Sequence, residues 1–225
     1  MLPLENLTLS GLLARTACTY PTRPAVWFDG KYTTYAELEQ QVIECAGRLM
    51  TLGVRRGDRV AILSDPRPYG IAAMYAVEYI GAVAVMLNTS LNLPELLPLI
   101  EQTGAEYLLL GHADKGDGYF EAELDGAVLP ECLRHIVSLR HNCGTYPVLG
   151  DLVPGDERAV RAAADAVTPQ DTATILFTSG STSRPKAVCT SHYSRVNGGI
   201  QQALDLAMTC DDVILIAMPI FHCFC

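Results

Sequence analysis

No stretch of this sequence gathers positive charge. Arg55, Arg56 and Arg59 come nearest, and Asp58 interrupts them. The formal net charge is −9, so the basic face that a nucleic-acid binder offers to phosphates is missing, and nucleic acid is excluded as a partner. An acidic chain can still bind an anion, but only at a local site of aligned backbone N–H groups and a lysine. None of the eight cysteines forms a C-x-x-C pair, and Cys223 and Cys225 lie closer together than metal ligands usually do. Most of the others sit among apolar neighbours, where a thiol packs as a small hydrophobe. A reduced, cytoplasmic setting therefore fits better than a disulfide scaffold. The first residues, "MLPLENLTLSGLLARTA", lack a basic leader and carry Glu5, so they do not read as a signal peptide. The longest apolar run, residues 71–87, contains Glu78 and is broken by Gly81. It reads as a helix followed by a buried strand, and no transmembrane segment is expected. Charge itself is scarce, at 18% of 225 residues against 49% hydrophobic. That balance argues against disorder and supplies enough apolar surface for a substantial core. No internal repeat recurs at a fixed period.

What is present is an alternation of strand and helix. In "KYTTYAELEQQVIECAGRLMTLG", Thr34 and Glu37 form a capping box, each satisfying a free N–H at the helix start. Leu38, Val42, Cys45, Ala46 and Leu49 recur at helical spacing, and Gly53 stops the helix. "RVAILS" (59–64) follows as a strand, "PYGIAAMYAVEYI" as a helix and "AVAVML" as a second strand. "LPELLPLIEQTG" is a helix ended by Gly104, with Pro98 expected to kink or confine it. "AEYLLLG" is again a strand. Residues 111–130 are polar and read as a surface excursion. Residues 132–139 form one further candidate strand, and 140–170 are mostly loop with a helical stretch at 157–166. The pattern restarts with a strand at 171–177, a polar loop, a helix in "HYSRVNGGIQQALDLAM" and a strand at 212–218. The predicted fold class is α/β: mostly parallel sheets flanked by helices on both faces.

The polar loop lies in "FTSGSTSRPKAV", residues 177–188. Placed between a strand and a helix, it occupies the position where α/β sheets commonly bind ligands. Thr178, Ser179, Ser181, Thr182 and Ser183 offer hydroxyls and backbone N–H groups. Gly180 permits close approach, and Lys186 supplies a mobile positive charge. The Walker A spacing is not met, because Pro185 precedes Lys186 and Ala187 follows it. On composition alone, a phosphate cradle and a serine-rich turn with a solvated lysine both remain open.

The same stretch resembles the phosphate-binding loop of the adenylate-forming acyl-CoA synthetase and luciferase family, Thr-Ser-Gly-Ser/Thr-Thr-Gly-x-Pro-Lys-Gly. Thr178, Ser179, Gly180, Ser181, Thr182, Pro185 and Lys186 match in place, while Ser183 and Ala187 stand where the family has glycine. "TYAELEQQVIECAGRLMTLGVRRGDRVAIL" is similar to that family's first helix–strand unit, and "YIGAVAVMLNTSLNLPELLPLIEQTGAEYLLL" to its next two. "MPIFHCFC" resembles the Pro-Leu-Phe-His-x-x-Gly motif of carboxylic acid–CoA ligases, with Cys225 at the last glycine.

The resemblance implies that a carboxylate attacks the α-phosphate of ATP to give an acyl-adenylate and pyrophosphate, and that a thiol, usually of CoA, then takes the acyl group. The loop, residues 178–183 with Lys186, would hold the β- and γ-phosphates. Lys186 would offset charge that develops there, and Mg²⁺ would bridge the phosphates with the Thr182 hydroxyl as a ligand. His222 would sit beside the acyl pocket, its bland alternative being a packed histidine without a role. The "FHCFC" run suggests a fatty acid as the carboxylate, and a peptide-synthetase adenylation domain is the near rival. Residues 1–170 would hold the first helix–strand units and 171–225 the phosphate-loop unit of an incomplete N-terminal domain. The family's adenine-binding segment, acidic magnesium ligand, hinge and C-terminal domain have no counterpart in these residues. The chain is therefore expected to be inactive alone, or a non-catalytic remnant that binds nucleotide weakly or a partner protein through its open face. An open sheet edge is expected to promote self-association. If the position of Ser183 needs positive φ, serine costs on the order of 1 kcal/mol there, and Ser183→Gly should improve phosphate binding.

Overall fold

The computed structural model describes residues 7–111, 119–140, 146–178 and 185–222. Helix α1 (Leu9–Thr19) opens the described chain and is capped by the Thr8 hydroxyl, which accepts from the Gly11 N–H. A two-stranded antiparallel hairpin follows, β1 (Pro24–Phe28) and β2 (Lys31–Thr34). Its turn is Asp29-Gly30, with φ of 50° and 75°, the left-handed conformations that a two-residue turn demands and that this dipeptide tolerates. Helix α2 (Tyr35–Leu52) starts from the capping box, whose two bonds run Thr34 N–H to Glu37 Oε2 (2.8 Å) and Glu37 N–H to Thr34 Oγ1 (3.3 Å).

Three strand–helix units then build the sheet: β3 (Arg59–Ser64), α3 (Pro68–Tyr79), β4 (Val83–Met86), α4 (Leu93–Thr103), β5 (Tyr107–Gly111) and α5 (Tyr119–Leu124). Strand β6 (His135–Ser138), a 3-10 turn at Leu149–Asp151 and α6 (Glu157–Asp165) precede β7 (Thr172–Thr178), β8 (Lys186–Ser191) and α7 (His192–Asp205). The six-stranded sheet has the order β6-β5-β3-β4-β7-β8, parallel except for the β7–β8 pair.

Successive residues of the central strands point to opposite faces, and each face has its own core. Val60, Ile62, Ala84, Met86 and Leu109 meet α2 and α3 through Val42, Ala46, Leu49, Ala73 and Ala76. Ala61, Leu63, Val85, Leu108 and Leu110 meet α4 and α5 through Leu96, Ile100, Phe120 and Leu124. Burying one Leu, Ile or Val stabilises by about 1.5–3 kcal/mol, so two full layers hold the sheet from both sides.

Several local expectations are corrected. Residues 119–124 do not lie in a polar excursion: α5 buries Phe120 and Leu124 against α4 and the sheet. Pro98 remains inside α4, which runs unbroken from Leu93 to Thr103. Residues 212–218 do not form a strand. They run without a ladder partner among the described residues, leaving Val213 and Leu215 90% and 85% exposed. Strand propensity needs a neighbour to hydrogen-bond with, and none is supplied there.

Candidate nucleotide-binding site

The polar loop is rooted in a hairpin. Thr178, the last residue of β7, pairs directly with Lys186, the first of β8, so their Cα atoms lie roughly 5 Å apart. Both are exposed. They stand past the carboxyl end of a strand that is parallel to β4, where open α/β sheets bind ligands. Ser179, Gly180, Ser181, Thr182 and Ser183 lie outside the described residues. At the returning end, the Pro185 carbonyl accepts from Gln102 Nε2 of α4 at 3.4 Å.

The loop does not lead straight into a helix, as the sequence pattern suggests. Residues 186–191 return along β7, and α7 begins only at His192. Val188 and Thr190 are β-branched and suit a strand, and they pair with Leu176 and Thr174 of β7. Among the described residues, the helix N-terminus of α7 is therefore separated from the loop by the length of β8. Any anion held here would rely on loop N–H groups, hydroxyls and Lys186. Ala187, at a position where the resembling family has glycine, sits in extended strand opposite Phe177, and its side chain packs on the α4 face. Its φ is not positive, so the methyl group costs no backbone strain.

Behind the loop, β7 is tied to α3 through a buried carboxyl group. Thr174 Oγ1 donates to Glu78 Oε1 at 2.7 Å, and Glu78 Oε2 has no hydrogen-bond partner among the described residues. Burial pushes the Glu78 carboxyl up to about 7, against the opposing pull of Arg195. At the other end of the hairpin, His192 is fully buried. Its Nδ1 accepts from the Leu9 N–H at 3.3 Å, and its Nε2 has no partner among the described residues. Burial lowers it to about 4, with Asp171 opposing, so the ring is neutral and carries its proton on Nε2.

His222 is half-buried, and its N–H donates to the Pro219 carbonyl at 3.0 Å. Its neighbours Ile220 and Phe221 pack on the core of the α2–α3 face, which also takes Leu176 of β7. Thr178 and Lys186 are thus brought together by the β7–β8 ladder. Gln102 carries no signal in the sequence, whereas Glu78 does, as a lone carboxylate inside an apolar run.

A family model described as AMP-binding enzyme matches residues 13–225. The chain belongs to the AMP-binding enzyme family. Among relatives of this AMP-binding chain is a 3-[(3aS,4S,7aS)-7a-methyl-1,5-dioxo-octahydro-1H-inden-4-yl]propanoyl:CoA ligase of Mycobacterium tuberculosis, 34% identical, matching 96% of this chain and 43% of that protein. A 2-succinylbenzoate–CoA ligase of Bacillus velezensis is also 34% identical, over 94% of this chain and 39% of the relative. The structure of an O-succinylbenzoate coenzyme A synthetase from Bacillus subtilis, in complex with ATP and magnesium ion, superposes with a TM-score of 0.77 at 26% identity, covering 96% of this chain and 41% of that one. The chain spans about two fifths of the length of these relatives. The α/β fold and the adenylate-forming kinship read from the sequence are both borne out.

Proposed function

We propose that the chain supplies the phosphate-loop part, a partial N-terminal domain, of an ATP-dependent carboxylic acid–CoA ligase with a fatty acid as the acyl substrate. The observation that carries this is the pairing of Thr178 with Lys186 at the root of the loop in an AMP-binding chain. The carboxylate oxygen attacks the α-phosphorus of ATP, and the bond to the β-phosphate oxygen breaks, giving acyl-adenylate and pyrophosphate. The CoA thiol then attacks the acyl carbon, and AMP leaves. Thr178, Ser179, Ser181, Thr182 and Ser183 orient the β- and γ-phosphates with their N–H groups and hydroxyls, and Gly180 allows close approach. Lys186 stabilises the negative charge that builds as pyrophosphate departs. His222 borders the acyl carbon, and the "FHCFC" run supports a fatty acid there.

Among the described residues, no group of three or more His, Cys, Asp or Glu gathers where a metal ion could sit. Mg²⁺ would be carried by the phosphates of ATP, with the Thr182 hydroxyl as a ligand from the chain, and would offset phosphate charge there. No described helix is long and apolar enough to cross a membrane, and a cytoplasmic setting is the companion proposal.

Isothermal calorimetry with MgATP tests the reading. Lys186→Ala should weaken binding about tenfold or more, as loss of a charge-assisted bond does, and Lys186→Arg should restore part of it. ATP binding that ignores Lys186→Ala would overturn the assignment. Carboxylate-dependent ATP–pyrophosphate exchange should be absent from the 225-residue chain alone, and measurable exchange would refute its inactivity.

A further inference from the structure

A cavity of about 510 Å³ lies between α2, the start of α3 and the residues Leu139, Leu149 and Gly150. Its position follows from the winding of the sheet. Strands β3 and β5 are neighbours, but β3 leads into α3 on one face and β5 into α5 on the other. Adjacent strands whose connections part in this way open a crevice at their carboxyl ends, which is where such sheets take ligands. Here Tyr69 spans the crevice, its hydroxyl donating to the Gly111 carbonyl of β5 at 2.7 Å. The volume lies within the range of small-molecule sites.

The walls are apolar, with Phe28, Pro68, Ala72, Leu139 and Leu149 among them, and two guanidiniums, Arg48 and Arg67, reach the lining. Each guanidinium has five N–H donors. Arg48 spends Nε on the Leu152 carbonyl at 3.0 Å and faces Glu44 at 3.6 Å. Arg67 faces Asp65 at 3.7 Å and stacks over the Phe28 ring at 5.6 Å. Donors remain on both. Cys45, also in the lining, is a neutral wall group, because burial pushes its thiol up to about 12.

We infer that this cavity binds a small amphipathic carboxylate, with its apolar body against Ala72 and Leu149 and its carboxylate between Arg48 and Arg67. Arg48 faces Glu44 and Arg67 faces Asp65, so the charges are matched pair by pair; the N–H donors left on both guanidiniums suit a carboxylate head, and the walls favour a hydrocarbon body. The site lies two strands away from β7 and is separate from the proposed ATP loop, so it stands whether or not that loop binds ATP.

Octanoate and 1-octanol are the probes, titrated calorimetrically into the 225-residue chain. Octanoate should bind at one site, and Arg48→Gln and Arg67→Gln should each weaken it about tenfold while leaving 1-octanol unchanged. Ala72→Phe, which fills the cavity, should remove both ligands. Ala72 is buried, so that variant risks misfolding. Arg67, 40% exposed, gives a change that the fold tolerates. Octanoate binding that is absent, or indifferent to both arginines, would overturn the proposal. So would binding lost on His222→Ala but kept in a folded Ala72→Phe variant, which would put the acid in the ligase site instead.

Discussion

Glu78 and His192 are buried ionisable groups whose shifts run in opposite senses. Glu78 has a folded value near 7 against an ordinary 4.5. Its contribution to stability is therefore complete below about 4.5 and is lost as pH rises through 7. His192 has a folded value near 4 against an ordinary 6.5, so its contribution is present above 6.5 and lost as pH falls through 4. Between about pH 4.5 and 6.5 the two slopes offset one another. Glu78→Gln keeps the acceptor for Thr174. It should raise stability above pH 7 by roughly 2–3 kcal/mol and leave a profile that climbs from pH 4 to 6.5. His192→Asn keeps an acceptor for Leu9 and should leave the reverse, a decline from pH 4.5 to 7. Urea melts across pH test this, and a Glu78→Gln curve that superposes on the wild type from pH 4.5 to 8 would exclude it. Lys186 and the hydroxyl-rich loop were legible as residues because spacing and residue type carry them. Gln102 was not, since its bond to Pro185 depends on two segments meeting that no local pattern relates.

Elements were readable where a periodic face or a cap announced them. Helix α2 is an example: both halves of its capping box stand in the sequence, and Leu38, Val42, Ala46 and Leu49 are all buried. The β1–β2 hairpin was equally available from Asp29-Gly30, but it interrupts the strand–helix alternation and is easily passed over. Strand β8 was hidden because its six residues continue a polar loop and only one face of it packs. Residues 212–218 mislead in the other direction, apolar and β-branched without a strand beside them. One close approach depends on two glycines: a Cβ on Gly47 of α2 would stand 2.9 Å from the Gly155 backbone nitrogen. Gly47→Ala should therefore cost about 1–3 kcal/mol, read as a lower urea midpoint. An unchanged midpoint would mean that the 155 segment moves away freely.

At the scale of the molecule, the layered α/β architecture was legible because three apolar strands alternate with three helices. The strand order was not, since the direction of each crossover leaves no mark in one sequence. The exposed apolar residues Val188, Leu204, Leu206, Val213, Ile214 and Leu215 fall on β8 and the residues that follow it. Self-association is therefore expected, with sedimentation coefficients that rise with concentration. A monomer throughout the micromolar range would contradict it. The reversal between β7 and β8 also bears on how the chain folds. Every other pairing in the six-stranded sheet is parallel and joins distant segments: Val60 meets Ala84 and Tyr107, and Ala84 meets Thr174. Thr178 and Lys186 are separated only by residues 179–185, so their loop closes at far smaller entropic cost. The turn proposed to grip phosphate would then be assembled before the sheet that presents it. In pulse-labelled refolding, amides of β8 should gain protection from exchange ahead of those of β3 and β4, and the opposite order would show that the hairpin waits for the sheet.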